Sequence, residues 1–268
     1  MLVPGAQPPF RPHEADRGGL QLVGGEFRPN SQARSFASKE LGIKLSCGVD
    51  GVKGAIPHGM LKEMKIGLVA DTHIPEAGPQ LPPEVFRSLV GCDRVLHAGD
   101  LHVISVVDQL SEIAPTVASR GNGDVFQGDG RRPGVSMDPR VLEAFVIEAA
   151  GMSIGLTHDL ERLVGLSDDV VAEKLLAVFG RRVDIAICGH THIPMVWGLT
   201  DGTAIVNPGS ATMPYGYLGI LGTVGLIGIE AGRFYVAIKD LGSGAEQLSL
   251  AGPRQQPCMF GPRPEGGI

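Results

Sequence analysis

The sequence predicts an α/β protein of two sheets packed face to face with helices outside. Three observations carry this. Apolar runs alternate with amphipathic helical segments over residues 65–120. Hairpin signals dominate from residue 145 onward. Five of the apolar runs end in side chains that can bind metal ions, the mark of a functional sheet edge in layered α/β folds.

The first half reads as strand–helix–strand–helix–strand. Lys65 to Ala70 (KIGLVA) is a continuous apolar run, suited to a strand covered on both faces. The segment 81–91 predicts a helix: Pro82 and Pro83 suit its first turn, Val85, Phe86, Leu89 and Val90 its apolar face, and Gly91 its end. RVLHAG is the next strand. The spacing of Val103, Val106, Val107, Leu110 and Ile113 predicts a helix over 102–113. PTVASR is the third strand. Such alternation builds a parallel sheet through crossovers.

The second half predicts a hairpin turning at Ala149 to Gly151. A helix follows, with Ser167 as N-cap, Asp168 and Asp169 in its positive first turn, and Gly180 past its end. The run VDIAICG is a strand. Two further hairpins turn at Asp201–Gly202 and Ala231–Gly232. The apolar window 217–229 is too short and too rich in glycine to span a membrane, and reads as buried strand with an approach loop.

The ends differ in character. Residues 1–63 are rich in Gly and Pro and poor in periodicity. They predict a flexible extension, or a mis-assigned start, with the core domain over 64–245 and a loose tail over 246–268. Mass spectrometry of the native N-terminus distinguishes extension from mis-assignment. The chain carries 43% hydrophobic residues and a net charge of −6. An acidic chain is a poor nucleic-acid coat, although bound dications could still attract a phosphorylated ligand. Cys47, Cys92, Cys188 and Cys258 show no paired spacing and read as free thiols in a reducing cytoplasm. No signal-peptide pattern opens the sequence.

The candidate ligands are Asp71 and His73, Asp100, Asn122, His158, and His190 with His192. All offer oxygen or imidazole nitrogen and none a thiol, which suits a two-metal hydrolytic centre better than a structural zinc site. Residues i and i+2 at a strand end point the same way, so Asp71 and His73 should converge. Asp100, after Gly99, could bridge two cations through its two oxygens. Asn122 offers a neutral amide oxygen. His97 is expected to be a hydrogen-bonded supporting residue. His102 either lines the mouth of the site or sits in a first helical turn.

In chain order these segments are Asp71-Thr72-His73, Gly99-Asp100, Gly121-Asn122, His158 and Gly189-His190-Thr191-His192, followed by Asn207-Pro208-Gly209-Ser210. The series resembles the calcineurin-like metallophosphoesterase superfamily. Within it, the chain resembles the small bacterial and archaeal phosphodiesterases, to which the retromer small subunit is related. The resemblance spans roughly residues 64–241. It implies a four-layer α/β/β/α sandwich of two mixed sheets flanked by helices. It also implies two divalent cations, manganese first, with nickel, zinc or iron(II) as alternatives. Carried over by position, Asp71, His73 and His192 hold one ion, Asn122, His158 and His190 the other, and Asp100 bridges them.

The implied reaction is hydrolysis of a phosphate ester, a phosphodiester first, by a metal-bridging hydroxide, with Asp100 and Asn122 acting through the metals. The implied substrate is a phosphorylated small molecule, with no membrane partner. The alternative is a catalytically silent scaffold of the same fold. In that case an exposed apolar patch around Tyr215, Tyr217, Leu218 and Leu221 would serve a partner or a second copy. Many relatives carry a His directly after the Gly-Asn pair to protonate the leaving group. Gly123 stands there instead, which leaves His102 and Asp124 as candidates, with Asp124 better suited to orienting the loop. His158 is followed by Asp159 where relatives often have Gly.

Overall fold

The computed structural model describes residues 63–125, 135–160 and 163–253. The expected extension over 1–63 therefore lies almost wholly outside the described residues, as do Cys47 and Cys258.

The continuous apolar runs become the centre of the larger sheet. β1 (Met64–Val69), β2 (Arg94–His97), β3 (Thr116–Ser119) and the short β4 (Val141–Leu142) are parallel neighbours. The connections β1–β2 and β2–β3 carry α1 (Pro83–Leu89) and α2 (Ser105–Ser111). β10 (Thr223–Glu230) adds antiparallel to β1, pairing Ile66 with Ile227. The hairpin continues through β11 (Arg233–Asp240), turning at Ala231 and Gly232, which both have positive φ. This is the backbone a two-residue hairpin turn demands.

The smaller sheet has five strands among the described residues. β5 (Phe145–Ala149) and β6 (Met152–Leu156) form the first hairpin, turning at Ala150 and Gly151. β7 (Ile185–Ile187) runs parallel to β6 and to β9 (Ala204–Pro208), while β8 (Pro194–Gly198) closes the edge antiparallel to β9. α3 (Asp168–Phe179) joins β6 to β7.

Three apolar layers separate four structural layers. Ile66, Leu68, Leu96, Ile154, Ile187 and Ile227 mesh between the two sheets. Val85 and Leu89 of α1 and Val106 and Leu110 of α2 cover the outer face of the larger sheet. Val171 and Leu175 of α3 cover the outer face of the smaller one. Each fully buried Leu, Ile or Val contributes about 1.5–3 kcal/mol, so these layers carry the fold.

Several expectations need correction. The tail does not begin at residue 246: β12 (Glu246–Pro253) pairs antiparallel with β11 as the edge of the larger sheet. α2 is shorter than 102–113 because His102 has φ 70°, outside the helical region, so it lies before the helix and not in its first turn. Ser167 occupies the N-cap of α3 without a side-chain cap bond; Asp168 Oδ2 instead accepts the Thr200 N–H at 2.9 Å. Gly180 ends α3 at φ 68°, as its position predicts. Cys92 and Cys188 are buried free thiols. Among the described residues no helix is long and apolar enough to cross a membrane.

Candidate metal centre

The loops after β1, β2, β3, β6 and β7 meet at one place, and all seven predicted side chains are there. Asp71, His73, Asp100, His190 and His192 have φ between 46° and 71°. Non-glycine residues in this region cost about 1–3 kcal/mol each and concentrate at functional sites. This corrects the strand-end argument for Asp71 and His73: β1 stops at Val69, and left-handed turns rather than strand alternation aim the two side chains. The turns are held against the β2 loop by Asp71 N–H to Gly99 O at 3.0 Å and His73 N–H to Asp100 O at 3.0 Å.

Two groups form. His73 Nε2 lies 3.1 Å from His192 Nε2, and His192 Nε2 lies 3.8 Å from Asp71 Oδ1. Opposite them, Asn122 Oδ1 lies 3.0 Å from both His158 Nε2 and His190 Nδ1. Asp100 stands between: its Oδ2 is 3.5 Å from His73 Nε2 and 3.6 Å from His158 Nε2. Its Oδ1 accepts the Gly123 N–H at 2.7 Å. One carboxylate oxygen thus faces both groups, while the other accepts a backbone N–H.

The imidazoles are anchored so that their lone pairs converge. His158 Nδ1 donates to Ala98 O at 2.8 Å, and His192 Nδ1 to Met213 O at 2.7 Å. With the proton on Nδ1, each neutral ring turns an unprotonated Nε2 into the site. Burial, then the neighbouring His102, pushes His73 down to about 4, and burial also lowers His192. Burial thus favours the neutral form of His73 and of His192. Asp71 is fully buried, and its Oδ2 has no hydrogen-bond partner among the described residues. Burial and the nearby Asp100 carboxylate raise Asp71 well above the usual carboxylate range, against the pull of the His190 N–H. Convergent lone pairs with an orphaned buried carboxylate oxygen suit divalent cations, whose charge would reverse that shift. The geometry allows Asp71, His73 and His192 to share one ion, and Asp71, Asp100 and His158 lie similarly close.

Supporting residues complete the site. His97 is buried as expected, with Nε2 3.1 Å from Thr72 Oγ1; burial and then His158 push it down to about 3. Asp124 accepts N–H groups from Asp100, Gly121 and His102, so it orients the loops. Asp159 does not displace His158; its Oδ2 lies 3.9 Å from His190 Nε2 at the exposed side. Sequence reasoning left Asn207 and Ser210 without a role. Asn207 Nδ2 donates to Gly189 O at 2.7 Å, fastening the Gly-His-Thr-His loop, and Ser210 Oγ donates to Asp71 O at 2.6 Å. Their signal was the Asn-Pro-Gly-Ser run itself. Glu76, which contacts His102 Nδ1 at 2.8 Å, had no signal.

The chain is similar to several known proteins. The family model for the calcineurin-like phosphoesterase superfamily domain matches residues 64–231. A probable metallophosphoesterase of Methanothermobacter thermautotrophicus is 32% identical over 151 residues, 56% of this chain and 79% of that protein. Another, from Methanocaldococcus jannaschii, is 30% identical over 157 residues, 56% of this chain and 70% of its own length. Among solved structures, vacuolar protein sorting 29 of Cryptosporidium parvum superposes with a TM-score of 0.54 at 22% identity, covering 71% of this chain and 97% of that one. The zinc complex of its Entamoeba histolytica counterpart gives 0.53 at 24% identity, covering 72% and 100%. These structures share the fold.

Proposed function

The chain belongs to the calcineurin-like phosphoesterase superfamily, and from that premise we propose that it is a metal-dependent phosphodiesterase acting through a binuclear centre. The observation that carries the proposal is the position of Asp100 Oδ2, almost equidistant from His73 Nε2 and His158 Nε2. Asp71, His73 and His192 would hold one ion and Asn122, His158 and His190 the other, with Asp100 shared. Manganese is the proposed metal, in keeping with an all oxygen and nitrogen donor set. When bound, two divalent ions supply hydroxide near neutral pH and offset charge on the phosphate oxygens.

The chain's own residues orient that chemistry. The Ala98 and Met213 carbonyls fix the ring orientations of His158 and His192. The His190 N–H holds Asp71 at 3.0 Å. Asn122 and His190 are exposed, so the site opens to solvent and leaves room for the two organic arms of a phosphodiester. Gly123 has no side chain to protonate the departing oxygen, which favours substrates with good leaving groups.

The test is hydrolysis of a chromogenic phosphodiester with Mn²⁺. Asp100→Asn and His190→Ala should each lower the rate by on the order of 100-fold or more. Undiminished rates in both variants refute the proposal. One observation favours a second reading, a protein-binding scaffold. Tyr215, Tyr217, Leu218 and Ile220 are each more than half exposed just beyond the Met213 contact to His192. Leu221, expected in that patch, instead packs against the core. Inactivity of the wild type with every metal and ester tested would favour the scaffold.

A further inference from the structure

His102, Glu76 and Gly123 form a unit that the seven-residue ligand set leaves unused. His102 is only 2% exposed and has φ 70°. Its backbone N–H donates to Asp124 Oδ1 at 2.8 Å, which fixes the turn that carries it. Its Nδ1 lies 2.8 Å from Glu76 Oε2. An ionised carboxylate only accepts, so the Nδ1 proton points at Glu76. In the neutral ring Nε2 then carries a lone pair, and that buried nitrogen has no hydrogen-bond partner among the described residues. Burying an unsatisfied polar atom is costly, and one orphaned at a functional site calls for a ligand.

The ring is aimed at the His73 side of the centre. The His73 and His102 rings meet edge to face, with centroids 4.4 Å apart. One donor atom each from His73, Asp100 and His102 lie within 4.8 Å of one another. The space for the ring exists because residue 123 is glycine. A Cβ there would stand 2.3 Å from His102 Nε2 and 3.0 Å from Asp100 Oδ1. The imidazole thus takes the room beside the Gly-Asn turn that a side chain at 123 would need. Its anchoring repeats the pattern of His158 and His192, with Nδ1 spent on an oxygen and Nε2 turned inward.

We infer that His102 is a further metal-ligating residue on the His73 side of the centre, oriented by Glu76. The inference rests on the binuclear reading above. A carboxylate behind a ligating imidazole fixes the ring and raises its basicity, which is the service Glu76 gives His102. The His73 side then has one more protein donor than the Asn122 side, so the two ions bind with unequal affinity.

The experiment titrates the full chain with Mn²⁺ by calorimetry and records visible spectra of the Co²⁺-loaded protein, which report ligand number. Wild type should bind two equivalents, one tighter than the other. His102→Ala should weaken the tighter equivalent by on the order of 10–100-fold and change the Co²⁺ spectrum. Glu76→Gln, at a side chain 41% exposed, should weaken the same equivalent by about 10-fold. Wild-type affinities and an unchanged spectrum in both variants overturn the inference and leave the binuclear reading standing. If His102→Ala fails to fold, unchanged affinity in Glu76→Gln alone overturns it. A wild type that binds neither Mn²⁺ nor Co²⁺ overturns both.

Discussion

Replacing Gly99 by alanine should damage both stability and the metal centre, and Gly91→Ala separates the two causes. Both glycines have positive φ, +90° at Gly99 and +79° at Gly91. A left-handed backbone costs an L-residue about 1–2 kcal/mol, partly offset by about 0.4–1 kcal/mol from a stiffer unfolded chain. Among the described residues nothing lies within 4 Å of a Cβ placed at Gly91, so Gly91→Ala should cost only about 1 kcal/mol. At Gly99 the new Cβ would lie 2.5 Å from His158 Nδ1, 2.7 Å from its Cγ and 2.8 Å from its Cβ. The ring cannot retreat without loosening its 2.8 Å bond to Ala98 O. Overpacking of this kind adds about 1–3 kcal/mol. The total for Gly99→Ala is therefore about 3 kcal/mol, roughly 2 kcal/mol beyond Gly91→Ala. Urea unfolding followed by circular dichroism measures the gap, and Mn²⁺ titration reports the displaced His158. If Gly99→Ala is no less stable than Gly91→Ala and binds Mn²⁺ like wild type, the reasoning is wrong.

Asn207→Ala should cost about 2–4 kcal/mol in urea unfolding, because its buried amide bonds Gly189 O, Thr191 Oγ1 and the Gly209 N–H together. A change under about 0.5 kcal/mol would contradict that role. The metal-free protein should lose stability in acid. His97 is held neutral down to about 3, below its unfolded value near 6.5, so its contribution is full above about pH 6.5 and is lost as pH falls from there toward 3. Within that window His97→Gln should flatten the pH dependence by up to about 1.4 kcal/mol per pH unit, and an unchanged slope would refute the assignment. Chelation should lower the thermal midpoint. Mn²⁺ at about 100 times its Kd should restore about 2.7 kcal/mol, whereas a midpoint indifferent to both treatments would speak against metal binding to the folded state.

The readable parts of the fold were those with strong local signals. KIGLVA, RVLHAG and PTVASR read as strands, are buried on both faces and form the parallel centre of the larger sheet. The hairpins expected to turn at Ala149 to Gly151 and at Ala231–Gly232 do turn there, with positive φ at Ala150, Gly151, Ala231 and Gly232. β12 went unread because its alternation is short, limited to Leu248 and Leu250 beside a Gly- and Pro-rich end, and its backbone is paired by β11. The start of α2 went unread because the periodicity around Val103 continues upstream, while the left-handed turn at His102 is imposed by Asp124, a partner distant in sequence.

Sequence alone determined which side chains would gather. Donor residues after β1, β2 and β3 share the carboxyl edge of the larger sheet and those after β6 and β7 that of the smaller one, because crossovers align parallel strands. Only tertiary structure decided how they present their atoms. The Gly123 amide fixes how Asp100 is turned, and the inward lone pairs of His158 and His192 follow from the Ala98 and Met213 carbonyls. The pairing of His102 with Glu76 joins residues 26 apart across two loops. Such contacts depend on backbone groups that are chemically alike along the whole chain. Their positions, not their identities, carry the information, and positions exist only once the layers have packed.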